Sequence, residues 1–190
     1  DAFGNTIGSA SNAVTIAIQS GPSGATLSGT QLVNAASGIA GFSTLVLTKA
    51  GAYTFSATAT GLATATSGSF TITADVPDTL RVVSGDNQNG APSTARGSPF
   101  VVGVVDRFGN PVSGVTLTFT VTAGGGSFGG SSSTQVATNA SGQASATLTL
   151  GALQGTNTVT VTSVTGRSAT FTATASQATK LAFTAPAPWV

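Results

Sequence analysis

A pentapeptide that occurs twice constrains this chain more than any other feature. Asp1-Ala2-Phe3-Gly4-Asn5 returns as Asp106-Arg107-Phe108-Gly109-Asn110, and further landmarks follow both copies in the same order. Ser37-Gly38-Ile39-Ala40 matches Ser141-Gly142-Gln143-Ala144, and Gly51 and Gly155 each precede an alternating run. Phe70-Thr71-Ile72-Thr73-Ala74 then matches Phe171-Thr172-Ala173-Thr174-Ala175, and Leu80 matches Leu181. A spacing of roughly 100 residues corresponds to one small β domain per period. The repeat is out of phase with the ends of the chain. It divides the sequence into a partial unit over 1–75, a complete unit over 76–177, and over 178–190 the first strand of a following or neighbouring unit.

Within each unit the apolar residues recur with period two. Val115, Leu117, Phe119 and Val121 alternate with Thr116, Thr118, Thr120 and Thr122, which turns one face toward a core and a row of hydroxyls outward. The stretches Ala144–Leu150, Ala169–Ala175, Val14–Ile18, Tyr53–Ala57 and Phe70–Thr73 read the same way. Threonine suits such positions because its β-branched side chain fits a pleated surface while its hydroxyl stays wet. Clusters of Gly, Asn, Ser and Pro separate the runs, and none shows helical spacing with caps. The fold class is all-β.

Composition excludes several functions. Six basic and five acidic residues give a net charge of +1, so no field draws the chain onto nucleic acid or anionic lipid. With 40% hydrophobic residues it can nonetheless build cores. Cysteine and histidine are absent, which removes disulfides, thiol chemistry, the commonest general base and the commonest metal ligand. Glutamate is absent too. No apolar run is long enough for membrane insertion of this segment. A surface of Thr, Ser, Gly and Asn without cysteine points to an extracellular, bacterial cell-surface setting.

The string Val104-Val105-Asp106-Arg107-Phe108-Gly109-Asn110-Pro111-Val112, the Val115–Val121 strand and Ala137-Thr138-Asn139-Ala140-Ser141-Gly142-Gln143-Ala144 together resemble the bacterial immunoglobulin-like domains of invasin and intimin-type adhesins. The landmarks cover nearly all of 78–175, and 1–74 resembles a sister form found in very large bacterial surface proteins. The resemblance implies tandem immunoglobulin-like β-sandwiches that serve as stalks, spacers or adhesins. In the residues themselves, Asp1, Phe3, Gly4 and Asn5, and likewise Asp106, Phe108, Gly109 and Asn110, read as a structural turn. The Asp accepts amide hydrogen bonds, the Gly-Asn pair tolerates positive φ, and Phe108 folds back over the end of the domain.

Other candidates for chemistry read as structure. Gly124-Gly125-Gly126-Ser127-Phe128-Gly129-Gly130 lacks the Lys-Ser/Thr and the helix of a phosphate loop, so Phe128, like Leu27 in the first unit, is expected to plug the domain end. Asp75, Asp78 and Asp86 gather near the junction of the units but fall short of a calcium ligand set, so no metal and no cofactor is expected. Asp1 and Asp106 are repeat-related and too far apart for paired acid–base work. Asn139-Ala140-Ser141 is a sequon by pattern at a surface turn.

The functional expectation is a structural or adhesive segment without catalysis. Rival readings are a module binding a surface glycan or host protein through its end loops, and an accessory domain of a secreted hydrolase. The second unit carries strands near Leu80–Val83 and Phe100–Val105 ahead of its pentapeptide; the first has neither. A unit without them exposes an apolar groove and unpaired edges. The segment with Lys180, Leu181, Phe183 and Trp189 is therefore the candidate interface, and further copies of the repeat, head to tail, are the expected partners.

Overall fold

A computed structural model describes residues 3–163 and 166–177. The chain divides into two compact units, Asp1–Asp75 with Phe108–Asn110, and Val76–Arg107 with Pro111–Val190. Among the described residues there are thirteen strands and no helix. Asp1, Lys180, Leu181, Phe183 and Trp189, and with them the strand expected over 178–190, lie outside the described residues.

The first unit holds β1 (Ala13–Ser20), β2 (Leu32–Asn34), β3 (Gly51–Ala59), β4 (Ala65–Thr66) and β5 (Phe70–Ile72). They form a single sheet in the order β2-β1-β3-β4, with β5 also on β3. The pairings are antiparallel; Ile16 faces Ala57, Ala57 faces Ala65 and Tyr53 faces Phe70. Between β4 and β5 the register on β3 slips by one across Ser67-Gly68-Ser69.

The second unit holds β6 (Thr79–Ser84), β7 (Gln88–Gly90), β8 (Phe100–Val105), β9 (Thr116–Ala123), β10 (Ser133–Ala137), β11 (Gln143–Ala146), β12 (Gly155–Ser163) and β13 (Ser168–Ala175). Two sheets result, β10-β9-β12-β13-β7 and β11-β8-β6. Their inner faces enclose Phe100, Val102, Leu117, Phe119, Leu148, Val159, Val161 and Phe171, each at most 1% exposed. Phe100 and Phe171 stack between the two sheets with ring centroids 4.6 Å apart. Threonines of β9, β12 and β13 occupy the alternate positions, as the two-residue period requires. The only parallel pairing among the described strands joins β7 to β13, where Gln88 lies beside Ala173 and Gly90 beside Ala175.

Two repeated landmarks have a backbone reason. Gly4 and Gly109 sit at φ of 82° and 81°, the left-handed conformation that closes the pentapeptide turn. Asn5 and Asn110 do not share it, so glycine alone supplies the positive φ expected of both. Gly38 and Gly142 are also left-handed, and a Cβ there would meet the Ile7 oxygen at 2.5 Å and the Val104 oxygen at 2.6 Å. The Ser-Gly landmark recurs because no side chain fits.

Candidate functional site

The residues that distinguish the two units lie on one face of the first. In β1, Val14, Ile16 and Ile18 point to the same side; in β3, Tyr53, Phe55 and Ala57 join them across the ladder; Phe70 and Ile72 of β5 complete the face. Tyr53 stacks on Phe70 at 5.9 Å and Phe55 leans on Phe70 at 4.9 Å. The Tyr53 hydroxyl donates to the Lys49 carbonyl at 2.7 Å, which holds the ring against the sheet. Beside this aromatic group, Ile16, Phe55, Ala57, Ala65, Thr66 and Ser67 line a groove of about 250 Å³.

Superposing the ladders by register pairs each of these with a residue of the second unit. Ile16 and Ala57 occupy the places of Phe119 and Val161, Phe55 that of Val159, and Phe70 that of Ala173. The four residues in the second unit are 0–1% exposed. Their counterparts in the first are all partly exposed, and Tyr53 is the one fully buried hydrophobic among the described residues of that unit. The strands that cover the face in the second unit, β6, β8 and β11, have no counterpart strand among the described residues of the first. The segment following Gly38, equivalent to β11, makes only isolated bridges, Ala36–Ile39 and Ser28–Val46. In the second unit β11 pairs along β8, so without that partner the same pattern does not become a strand.

The register also corrects an alignment. The sequence match sets Phe70 against Phe171, whereas the sheet places Phe70 opposite Tyr53 and Phe171 opposite Val159, two residues apart along the strand. The break at Ser67-Gly68-Ser69 interrupts the strand, and Ser67, whose amide donates to the Phe55 carbonyl at 2.9 Å, takes the place of Phe171. The loss of that ring deepens the groove.

The remaining candidates resolve as follows. Asp106 and Asn110 are buried, at 2% and 5% exposure. Phe108, expected to fold back over the domain end, is 48% exposed, and Phe3 is 90% exposed. Phe128 is buried and meets Phe119 edge-on at 6.1 Å, and Leu27 is partly buried; the glycine-rich segment is thus a plug in the second unit. The carboxylates go to protein partners. Asp78 pairs with Arg167 at 3.2 Å, and Asp86 accepts from the amides of Asn87 and Thr172 at 2.8 and 2.7 Å. Among the described residues no group of three or more acidic, His or Cys side chains gathers as a metal would need. The Asn139 side chain accepts from the amides of Ser141 and Gln143, which makes it the pin of its own turn. Sequence reasoning missed Asn157, fully buried on β12, which takes the Gly151 amide at 3.0 Å; a single Asn inside an alternating run carries no signal of burial.

No family model and no curated protein matches the sequence. Solved structures do. The Escherichia coli adhesin FdeC aligns with 92% of this chain at 19% identity and a TM-score of 0.54, over 55% of its own length. The fold is that of immunoglobulin-like β-sandwich domains. The resemblance read from the Asp106–Val112 string is borne out at the level of fold. The D0-D1 domain of intimin also aligns, with 23% identity, 88% of this chain, 80% of that one and a TM-score of 0.34. Domains 4 and 5 of the S-layer protein SbsC align with 18% identity, 90% of this chain, 73% of that one and a TM-score of 0.40. A glycosyl hydrolase family 2 member from Bacteroides cellulosilyticus also aligns, at a TM-score of 0.44 over 22% of its length. The chain spans about half of the FdeC structure it matches. No helix among the described residues is long and apolar enough to cross a membrane.

Proposed function

We propose that this chain is a non-catalytic structural or adhesive segment of an extracellular bacterial surface protein or filament, a stalk or assembly module completed head to tail. The first unit acts as acceptor: strands from outside it, along one longer polypeptide or from a second copy, cover its open face as β6, β8 and β11 cover the second unit. The observation that carries this reading is the exposure of Ile16, Phe55, Ala57 and Phe70 where Phe119, Val159, Val161 and Ala173 are buried. An apolar sheet face left in water forgoes about 25 cal/mol for each Å² it could bury, and a two-layer domain is the usual remedy. The fold shared with FdeC supports the surface setting. The few carboxylates and the absence of histidine argue against the hydrolase-like alternative carrying its chemistry in this segment.

A chimera tests the reading. Residues 76–105, which carry β6 to β8, are fused ahead of Asp1, restoring the order of the complete unit. The closed first unit then unfolds cooperatively and stops binding a hydrophobic dye such as ANS. A chimera whose first unit still binds the dye and melts without a transition contradicts the acceptor role.

A further inference from the structure

The two lateral sides of the second unit differ in charge. No charged residue occurs between Arg107 and Arg167, and β9, β10, β11 and β12 all lie within that interval. Charge is found instead along the other side. β6 carries Arg81, follows Asp78 and shifts register on β8 between Val82 and Ser84. β7 is three residues long, and the Arg96 guanidinium lies over it and donates to the Asn89 carbonyl. Short strands, broken register and cationic side chains are the means by which sheet edges avoid pairing with other chains. β10, at the opposite edge of the sheet that ends in β7, has none of them: Ser133–Ala137 runs uncharged and in unbroken register with β9.

The ladder fixes which groups β10 offers. Thr134 lies opposite Phe119 and Val136 opposite Leu117, and just beyond them the Val121 amide donates to the Ser132 carbonyl at 2.8 Å and the Thr138 amide to the Val115 carbonyl at 3.0 Å. The even-numbered residues therefore bond inward to β9. Ser133, Gln135 and Ala137 turn their amides and carbonyls the other way, where no described strand follows, and all three are exposed. The neighbouring edge of β11 is less open, because the Gln143 amide donates to the Asn139 side chain and the Gln143 carbonyl accepts the Asn139 amide. Between the two edges Thr134 and Val136 line a groove of about 330 Å³ with Phe128, Ser145 and Ala146. The bare edge of β10 thus has a recess beside it.

The strand is complementary to itself. Set antiparallel about a twofold axis through Gln135, each Gln135 meets its own copy, Ser133 meets Ala137 and Thr134 meets Val136. Ser133, Gln135 and Ala137 then exchange main-chain bonds with the same three residues of the other molecule, and the second copy's Val136 arrives beside Thr134 at the mouth of the groove. No like charges oppose the pairing, since β9 to β12 carry none. We infer that β10 is a strand-addition edge and that its occupant is β10 of a second copy, in an isologous contact centred on Gln135. Every group it uses lies in the second unit, so it stands apart from the acceptor role of the first. A strand of five residues covers less than the roughly 1,200–2,000 Å² of a standard interface, so one contact is weak and gains by repetition.

The experiment uses the intact chain and two variants of it, Gln135→Lys and Gln135→Glu. Gln135 is exposed, so both variants keep the unfolding midpoint of the second unit, and that is measured first. The unaltered chain associates into dimers as its concentration rises in analytical sedimentation. In step, the amides of Ser133, Gln135 and Ala137 exchange more slowly with deuterium, while those of Thr134 and Val136, already bonded to β9, do not change. Each variant alone sets like charges across the twofold axis and associates about tenfold more weakly or worse. An equal mixture of the two regains the association of the unaltered chain, because opposite charges then face each other. An unaltered chain that stays monomeric at its highest soluble concentration overturns the proposal. Concentration-dependent protection that falls on β5 or β11 in place of Ser133, Gln135 and Ala137, or that survives in both variants alone, overturns β10 as the edge used. A mixture that stays as weak as its parts overturns the twofold register, and with it a second β10 as the occupant.

Discussion

The two units start from the same repeat and the same sheet, yet one has a core and the other a surface. β9 and β12 bury Leu117, Phe119, Val159 and Val161 completely, while β1 and β3 hold Val14, Ile16, Phe55 and Ala57 at the same ladder positions with their faces partly wet. Alternation and register are alike in both. What differs is the presence of β6, β8 and β11, and that difference decides whether an alternating strand becomes an interior. Large exposed hydrophobics occur in both units, Ile7, Leu32, Ile39, Val46 and Leu62 at 50–67% in the first and Val76, Val82, Val83 and Leu153 at 40–81% in the second, so the contrast lies in the sheet face and not in scattered surface residues. A sheet face thus reports on its partners as much as on its own sequence.

The largest expected contrast is between the units expressed separately. Residues 76–177 alone unfold in one cooperative transition of about 5–10 kcal/mol, whereas 3–75 alone show no transition in urea followed by near-ultraviolet circular dichroism. A cooperative melt of 3–75 would erase the distinction between them.

Core truncations sharpen the contrast residue by residue. Phe119→Ala removes a fully buried ring and lowers the stability of the second unit by about 3–5 kcal/mol, while Ile16→Ala, its ladder counterpart, changes the first unit by less than about 1 kcal/mol. The denaturant midpoint of the second unit measures the first loss, and hydrogen exchange of the β1 amides measures the second. Equal losses at the two sites would mean that Ile16 is as well covered as Phe119.

Asn157→Ala comes next. It leaves the buried Gly151 amide without its 3.0 Å acceptor, and the second unit loses about 1–3 kcal/mol. The counterpart of Asn157 in the first unit is Tyr53, whose hydroxyl serves Lys49 at the rim; Tyr53→Phe costs less, about 0.5–1.5 kcal/mol. The smallest effect is at Arg167. Its pair with Asp78 is exposed on both sides, 58% and 44%, so Arg167→Ala shifts the second unit by under about 1 kcal/mol, and added salt masks the change.

Much of this was readable in advance. The two-residue period placed β9, β12, β13, β1 and β3, and the pentapeptide marked where each unit's central sheet begins. Other features depend on contacts between residues distant in sequence, and those leave no local mark. The segment after Gly38 has the pattern of β11 but lacks a neighbour to pair with, so it fails as a strand for a reason outside itself. Phe70 and Phe171 look alike in their strings, and only the slip at Ser67-Gly68-Ser69 shows that they occupy different rungs. The half-exposure of Phe108 is likewise unmarked in the string around it.

Native-state hydrogen exchange on the chain lacking residues 177–190, resolved by strand, tests the central claim most directly. The amides of β12 between Asn157 and Val161 exchange only through global unfolding of the second unit, while those of β3 between Tyr53 and Ala57, at the same rungs, exchange about a hundredfold faster or more through local opening. Equal protection of β3 and β12 would show that the first unit is closed without an outside strand, and would contradict the account.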